Sequence, residues 1–347
     1  MEYGQLEMLE KELGPSFYVF DVEKLKGNFR KIERAFKSRY GNFIIGYSYK
    51  TNYLPYLCKV IDELGGDAEV VSRLEYDLAL KIGVDPERII FNGPVKTYDD
   101  IETALNGGSI VNIDSFYEID YVEAYCEKHK NKLAKIGLRA NFDLSENGES
   151  PLQEGYPLSR FGFCEENGDF HYAVEKLGNI ENARIAGLHG HFSTRERSVS
   201  VYEKIASRLC MLAKQYLPPE QIEYIDIGGG IYGELPPNFP VKAPSFDDYA
   251  EAVCSVLNDE FPPGGKKPFL ILEPGMAMVA NTFSFAAKVI ETKRVRGTNF
   301  VVVDGSVHNV KPTMHKRNLP MVLVKKAPPF RGVGAYHVVG YTCMEKD

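Results

Sequence analysis

Two ionisable side chains close apolar runs that would carry them toward an interior. Lys50 ends FIIGYSYK (43–50), and Glu273 ends FLILE (269–273) just ahead of Pro274 and Gly275. Strand ends border solvent and are commonly polar, but an unpaired charge carried inward is costly. A lysine so placed suits Schiff-base chemistry, because its neutral amine is the nucleophile and desolvation is expected to lower its pKa. A carboxylate at Glu273 would hold a proton on a heteroaromatic nitrogen. The plainer alternative is a glutamate that ends a strand in a Pro-Gly turn.

Three further signals accompany them. Gly228, Gly229 and Gly230 in IDIGGGI (225–231) let backbone N–H groups approach an anion closely, or simply make a tight strand–helix turn. No Walker-type lysine follows, so a nucleoside triphosphate is not expected. His191 suits stacking on a flat ring, although taken alone a hydrogen-bonded core histidine is the simpler reading. Cys343, in VVGYTCMEKD, reads by itself as packing.

The elements that must position these groups recur along the chain. Short β-branched runs alternate with amphipathic stretches: FIIGYSY (43–49), DAEV (67–70), RIIFN (88–92), SIVNID (109–114), AKIGLRA (134–140), IAGLHGH (185–191), YIDIGG (224–229) and FLILEP (269–274). Ser72-x-x-Glu75 and Ser115-x-x-Glu118 have the spacing of capping boxes at helix starts. This α/β alternation predicts a (β/α)8 TIM barrel over 23–278, with its working groups at the C-terminal strand ends. Those ends carry Lys50, Glu69, Asn92, Asp114, Arg139, His189, His191, Gly228–Gly230 and Glu273. An open doubly wound sheet would stop near ~six strands and carry a dinucleotide fingerprint, which is lacking here.

Beyond Gly275 the helices drop out. SFYVF (16–20), FSFAAKVIETKRV (283–295), NFVVVDGSV (299–307), MVLVKKA (321–327) and AYHVVGYTC (335–343) predict a second, all-β domain from 1–22 plus 279–347. The irregular stretch 143–160 is long enough to expect a functional or mobile loop.

Composition narrows the classes of function. The 347 residues are 44% apolar and 26% charged, with net charge −7, which speaks against a nucleic-acid or anionic-membrane partner. No apolar run approaches the ~20 residues of a membrane span. MEYGQLEMLEKELG is acidic and helical in pattern, unlike a signal peptide. The six cysteines form no CxxC pair, so neither a metal site nor a disulfide framework is expected, and the cytoplasm is the expected compartment.

Taken together, the motifs resemble the fold-type III pyridoxal-phosphate decarboxylases, the group of diaminopimelate, ornithine and arginine decarboxylases, which share the alanine-racemase-like barrel. FYVFD (17–21), YSYKTN (47–52), EVVSRLE (69–75), IIFNGPVKT (89–97), NIDSFYE (112–118), IGLRANFD (136–143), SRFGF (159–163), GLHGHFST (187–194), IDIGGG, LEPG and GYTCMEKD follow in the family's order. The resemblance implies pyridoxal 5'-phosphate as cofactor, with Lys50 as the Schiff-base lysine. Glu69 and Glu75 stand at its acidic positions, and His191 stacks on the ring. Gly228–Gly230 bind the phosphate, and Glu273 sits opposite the pyridine nitrogen. Arg139, Thr194 and Gly275 complete the implied cofactor contacts. Cys343 is implied to act across a homodimer interface, returning a proton to Cα after CO2 leaves.

Three departures qualify the match. Met276 replaces the arginine of Glu-Pro-Gly-Arg that meets the phosphate. Met344 replaces the acid that contacts a distal amine, which argues against a diamine-forming substrate. The sequence ends at Asp347, and Gly334-Ala335-Tyr336 precedes the cysteine instead of following it, so the β-domain reads as incomplete at its C-terminus.

Substrate contacts are expected at Asp304, Lys311 and Asp347. The basic stretch His308–Arg317 suits a second carboxylate or a carrier-tethered amino acid, or is an ordinary solvated loop. Two alternatives stay open, an amino-acid racemase on the same scaffold and a catalytically weak relative that works by binding.

Overall fold

The computed structural model describes residues 1–156, 158–235, 241–310, 319–326 and 334–347. The chain divides into two units, Val22–Ala280 and Met1–Asp21 with Asn281–Asp347. It opens with the helix Tyr3–Leu13 and strand β1 (Ser16–Phe20), which belong to the smaller unit.

The larger unit carries β2 (Phe43–Ser48), β3 (Asp67–Val70), β4 (Ile89–Phe91), β5 (Ile110–Ile113), β6 (Ala134–Asn141), β7 (Phe163–Cys164), β8 (Ala183–His189), β9 (Tyr224–Asp226) and β10 (Phe269–Leu272). Each of the eight runs read from the sequence supplies one strand of a closed parallel barrel. Pairing runs β2, β3, β4, β5, β6, β8, β9, β10 and back to β2. Two-residue β7 only extends the end of β6. Ile90, Ala186, Tyr224 and Ile271 pack a dry layer inside, with Ile44 and Ile110 against it. Because that layer fills the lower barrel, polar side chains on the strands emerge at its upper end.

The helix starts differ from the expected capping. Ser72 accepts from the Glu75 N–H, but the Glu75 carboxylate turns to the Val71 N–H at 2.7 Å, so the box is not reciprocal. Ser115 makes no side-chain cap, since Glu118 is drawn to Lys96 and to the Asp114 N–H. Reciprocal boxes occur at Thr97/Asp100 and Ser245/Asp248. The irregular stretch 143–160 is tied down by a bridge between Leu152 and Thr194 and by Gln153 N–H donating to Ser193 O at 3.0 Å.

In the smaller unit β1 pairs antiparallel with β11 (Phe283–Ala287). A separate sheet joins β12 (Val289–Val295), β13 (Thr298–Val303) and β14 (His337–Val339). Among the described residues, 321–326 of the expected strand MVLVKKA pair with no strand. Met321, Val322 and Leu323 are exposed.

Candidate active site

Lys50 sits in the single 3₁₀ turn Tyr49–Thr51 that ends β2. Its Nζ donates to Glu69 Oε2 at 2.6 Å, and Ser48 Oγ donates to the same oxygen at 2.5 Å. Glu69 is fully buried, whereas the Lys50 side chain keeps 41% of its exposure. Burial pulls the ammonium down, but Glu69 and Glu273 together outweigh it and hold Lys50 above its ordinary range. This corrects the expectation of a lowered pKa. Two buried carboxylates, not the apolar wall, set the charge of this amine.

From Glu69 a line of hydrogen bonds crosses the barrel. Asn92 Nδ2 donates to Glu69 Oε1 at 3.0 Å and to Glu273 Oε1 at 2.5 Å. Asn92 Oδ1 accepts from Asn112 Nδ2 at 2.8 Å, and Asn112 Oδ1 accepts from Tyr224 OH at 2.8 Å. Side chains from six strands are thereby fixed to one another, which locks their rotamers before any ligand arrives.

Beside this line, His189, Asp226 and Glu273 converge, with one donor atom of each within 4.8 Å of the others. His189 Nε2 lies 3.6 Å from Glu273 Oε2. Burial and then the neighbouring Glu273 hold the Asp226 carboxyl well above the carboxylate range. Burial also works against the Glu273 charge, but His189 and Lys50 overcome it and keep Glu273 ionised. One proton thus rests on Asp226 and the negative charge on Glu273.

On the next strands, Arg139 is held by Asp114 at 2.9 Å, stacks on Phe161 at 4.5 Å and donates to the His191 carbonyl at 3.1 Å. His191 Nδ1 accepts the Gly229 N–H at 3.0 Å, which places the imidazole proton on Nε2. Burial first, then Lys50 and Arg139, push His191 down to about 3, so the ring is neutral.

The glycine loop needs its glycines. Gly228 and Gly230 adopt φ of +66° and +96°, and a Cβ on Gly229 would stand 2.0 Å from the Glu273 carbonyl oxygen. Gly275 backs onto Thr51 so closely that a Cβ would lie 2.0 Å from its Oγ1.

Among the described residues, the buried polar atoms with no hydrogen-bond partner include Thr194 Oγ1, both ring nitrogens of His189 and Asp226 Oδ2. Such orphans are costly unless a ligand completes them. Together with the glycine loop, the ionised Glu273 and the lysine, they fit a planar heteroaromatic aldehyde that carries a phosphate.

The barrel unit therefore gathers Lys50, Glu69, Arg139, His191, Thr194, Gly228–Gly230, Glu273 and Gly275. Cys343, Asp304 and Asp347 belong to the smaller unit. Cys343 is exposed. Both Asp347 oxygens are engaged, by the Val307 N–H at 2.6 Å and the Thr342 N–H at 3.0 Å. Lys311 lies outside the described residues, as does the rest of the basic stretch from 311 to 317.

Sequence reasoning gave no role to Asp226, Asn112 or Tyr224. Their signal was the same alternation that exposed Glu69 and Arg139, and the adjacent glycines masked Asp226. It also passed over Lys96, which is fully buried 3.1 Å from Glu118 Oε1 and donates to Gly93 O at 2.7 Å.

A family model described as the pyridoxal-binding domain of pyridoxal-dependent decarboxylases matches residues 25–280. Diaminopimelate decarboxylase of Aquifex aeolicus is 28% identical over 320 residues, which cover 91% of this chain and 72% of the relative. Among solved structures, diaminopimelate decarboxylase of Methanocaldococcus jannaschii in co-complex with L-lysine superposes with a TM-score of 0.81 at 23% identity, over 99% of this chain and 79% of that one. The Paramecium bursaria Chlorella virus arginine decarboxylase gives 0.77 at 20% identity, over 99% and 86%. At these identities the two structures speak for the fold. Among the described residues, no helix is long and apolar enough to cross a membrane.

Proposed function

The chain belongs to the pyridoxal-dependent decarboxylase family, and from that membership we propose that it removes the α-carboxylate of an amino acid, free or carrier-bound, at the barrel mouth around Lys50. When bound, pyridoxal phosphate supplies an aldehyde for covalent attachment and an electron-withdrawing ring for the electron pair that CO2 leaves behind. The observation that carries the reading is the hydrogen-bonded line from Lys50 through Glu69 and Asn92 to Glu273. It joins an attachment amine to a permanent negative charge on the far side of one mouth.

Lys50 is the attaching amine. Its proton must leave first, and Glu69 Oε2 at 2.6 Å is the base placed to take it. Glu273, kept ionised beside a protonated Asp226, holds a proton on the ring nitrogen. Neutral His191 packs on the ring face, and Arg139 steadies it through the His191 carbonyl. The N–H groups of Gly230 and Gly275, with Thr194 Oγ1, bind the phosphate, while Gly228 and Gly229, whose N–H groups are spent on Asp226 and His191, shape the loop around it.

In the smaller unit Cys343 is the proposed acid that returns a proton to Cα, contributed by a second copy of the chain in a homodimer. Asp304, Lys311 and Asp347 are the proposed substrate contacts. Met344, in place of an acid, supports a substrate without a distal amine.

Borohydride reduction of the cofactor-loaded protein, followed by peptide mapping, is expected to leave a pyridoxyl adduct on Lys50. An adduct on another lysine, or none, overturns the assignment. Lys50→Ala should lower CO2 release by roughly 10³-fold or more across a panel of free and carrier-bound amino acids. Mixing Lys50→Ala with Cys343→Ala chains should restore about a quarter of wild-type activity if the site is shared, since only one site of each mixed dimer is then intact. No restoration in a proven dimer would remove Cys343 from the shared site.

A further inference from the structure

A phosphate carries up to two negative charges, and the position after Glu-Pro-Gly that would answer them is Met276, which is 54% exposed. The basic side chains nearby are mostly committed. Lys50 is paired with Glu69, Arg139 with Asp114 and Arg195 with Glu196. Arg197 differs. Among the described residues it has no carboxylate within ion-pair distance, and it is only partly exposed.

Its position is built. The Arg197 guanidinium lies over the Tyr232 ring, 5.1 Å from the centroid, and Tyr232 stands two residues beyond Gly230. Tyr249 OH donates to the Arg197 carbonyl at 2.5 Å and accepts the Tyr232 N–H at 3.4 Å, which staples the two segments together. Arg197 takes φ of +50°, a left-handed backbone that a long side chain rarely adopts without a reason. Tyr202 completes the connection: its OH donates to Gly229 O at 3.2 Å, and its ring packs edge-on against Tyr249 at 5.3 Å. Burial raises the Tyr202 phenol, and the Arg197 charge is among the influences that draw it back.

We infer that Arg197 is the cationic anchor for the cofactor phosphate in this chain, doing from the loop after β8 what an arginine at position 276 would otherwise do. The inference rests on the cofactor reading above. A stacked, pre-oriented guanidinium with no acid partner is suited to a phosphate, because it brings several N–H donors and has no ion pair to break.

The test separates phosphate recognition from ring recognition. Apoprotein is titrated with pyridoxal 5'-phosphate and, separately, with pyridoxal, following absorbance. Melting temperature is recorded with and without inorganic phosphate. Arg197→Gln is expected to weaken the phosphorylated form by about 10- to 100-fold, to leave pyridoxal within about twofold, and to abolish stabilisation by inorganic phosphate. Arg197→Lys, which keeps the charge without the fork, should fall between. Adding Met276→Arg to Arg197→Gln should restore part of the loss. An equal loss for both ligands in a folded Arg197→Gln or Arg197→Lys protein, or no loss for either, overturns the inference. If wild-type protein takes up neither ligand, the cofactor reading itself has failed.

Discussion

The two units treat polar side chains in opposite ways. In the barrel unit Glu69, Asn92, Lys96, Asn112, Asp114, Glu118, Arg139, His189, Asp226 and Glu273 are all buried. In the smaller unit, among the described residues, only Thr282 and Ser306 are buried polar residues, and every residue of β12 is exposed. Buried charge is tolerated only beside a compensating charge or hydrogen-bonding group, so the barrel's polar groups are mutually dependent. Those of the smaller unit are mostly solvated and act nearly independently. A substitution in the barrel should therefore propagate, while one in the smaller unit should stay local.

The sharpest way to break that contrast is the Lys96–Glu118 pair, since both side chains are fully buried. Burial lowers Lys96 and raises Glu118, and each group's charge partly offsets that shift in the other. Lys96→Met leaves a carboxylate stranded and should cost about 3–5 kcal/mol in chemical denaturation. Lys96→Met with Glu118→Gln should recover most of it, because a neutral amide can still accept the Asp114 N–H. If the double variant is no better than the single, the pair is not coupled in the way argued. Arg139 leans on Asp114, so the single variant should also weaken cofactor uptake.

The next effect is a pH dependence. His191 is held neutral at about 3 in the folded barrel, against about 6.5 in an unfolded chain. The unfolded state binds the extra proton between those values, so the stabilising contribution is complete above pH ~6.5 and is lost as pH falls toward 3. The share of the apoprotein slope that His191 supplies should reach at most about 1.4 kcal/mol per pH unit within that window. His191→Asn should flatten it, as followed by urea unfolding at a series of pH values. An unchanged slope would mean that the ring takes up its proton in the fold as readily as in the unfolded chain.

How far the sequence carried each part follows from periodicity. All eight barrel strands were legible because a buried parallel strand must be a short apolar run, and its polar terminus announces itself. Lys50, Glu273 and the glycine loop stood out for that reason. The charge of Lys50 did not, because it depends on Glu69 and Glu273, which are distant in sequence and adjacent only once the barrel closes. Lys96 was equally hidden, since a lysine in NGPVKT looks like a surface residue until Glu118 is placed beside it. In the smaller unit MVLVKKA has strand-like composition, but composition cannot supply a neighbouring strand to pair with.

The smallest effect expected tests the local character of the smaller unit. Asp347 spends both carboxylate oxygens on the Val307 and Thr342 N–H groups, and these bonds, working against burial, draw its pKa below the usual value. Its contribution is thus present above the unfolded value near ~3.9 and is lost as pH falls below that, a window lower than that of His191. Asp347→Ala should cost about 1–2 kcal/mol, since two backbone donors lose their acceptor near solvent. Asp347→Asn, able to accept only at one atom, should cost somewhat less. Neither should alter cofactor uptake by the barrel. A substrate contact at Asp347 would instead appear as a raised KM in both variants with kcat and melting temperature nearly unchanged. Measuring all three quantities on the two variants thus decides whether this carboxylate fastens its own unit or faces the substrate.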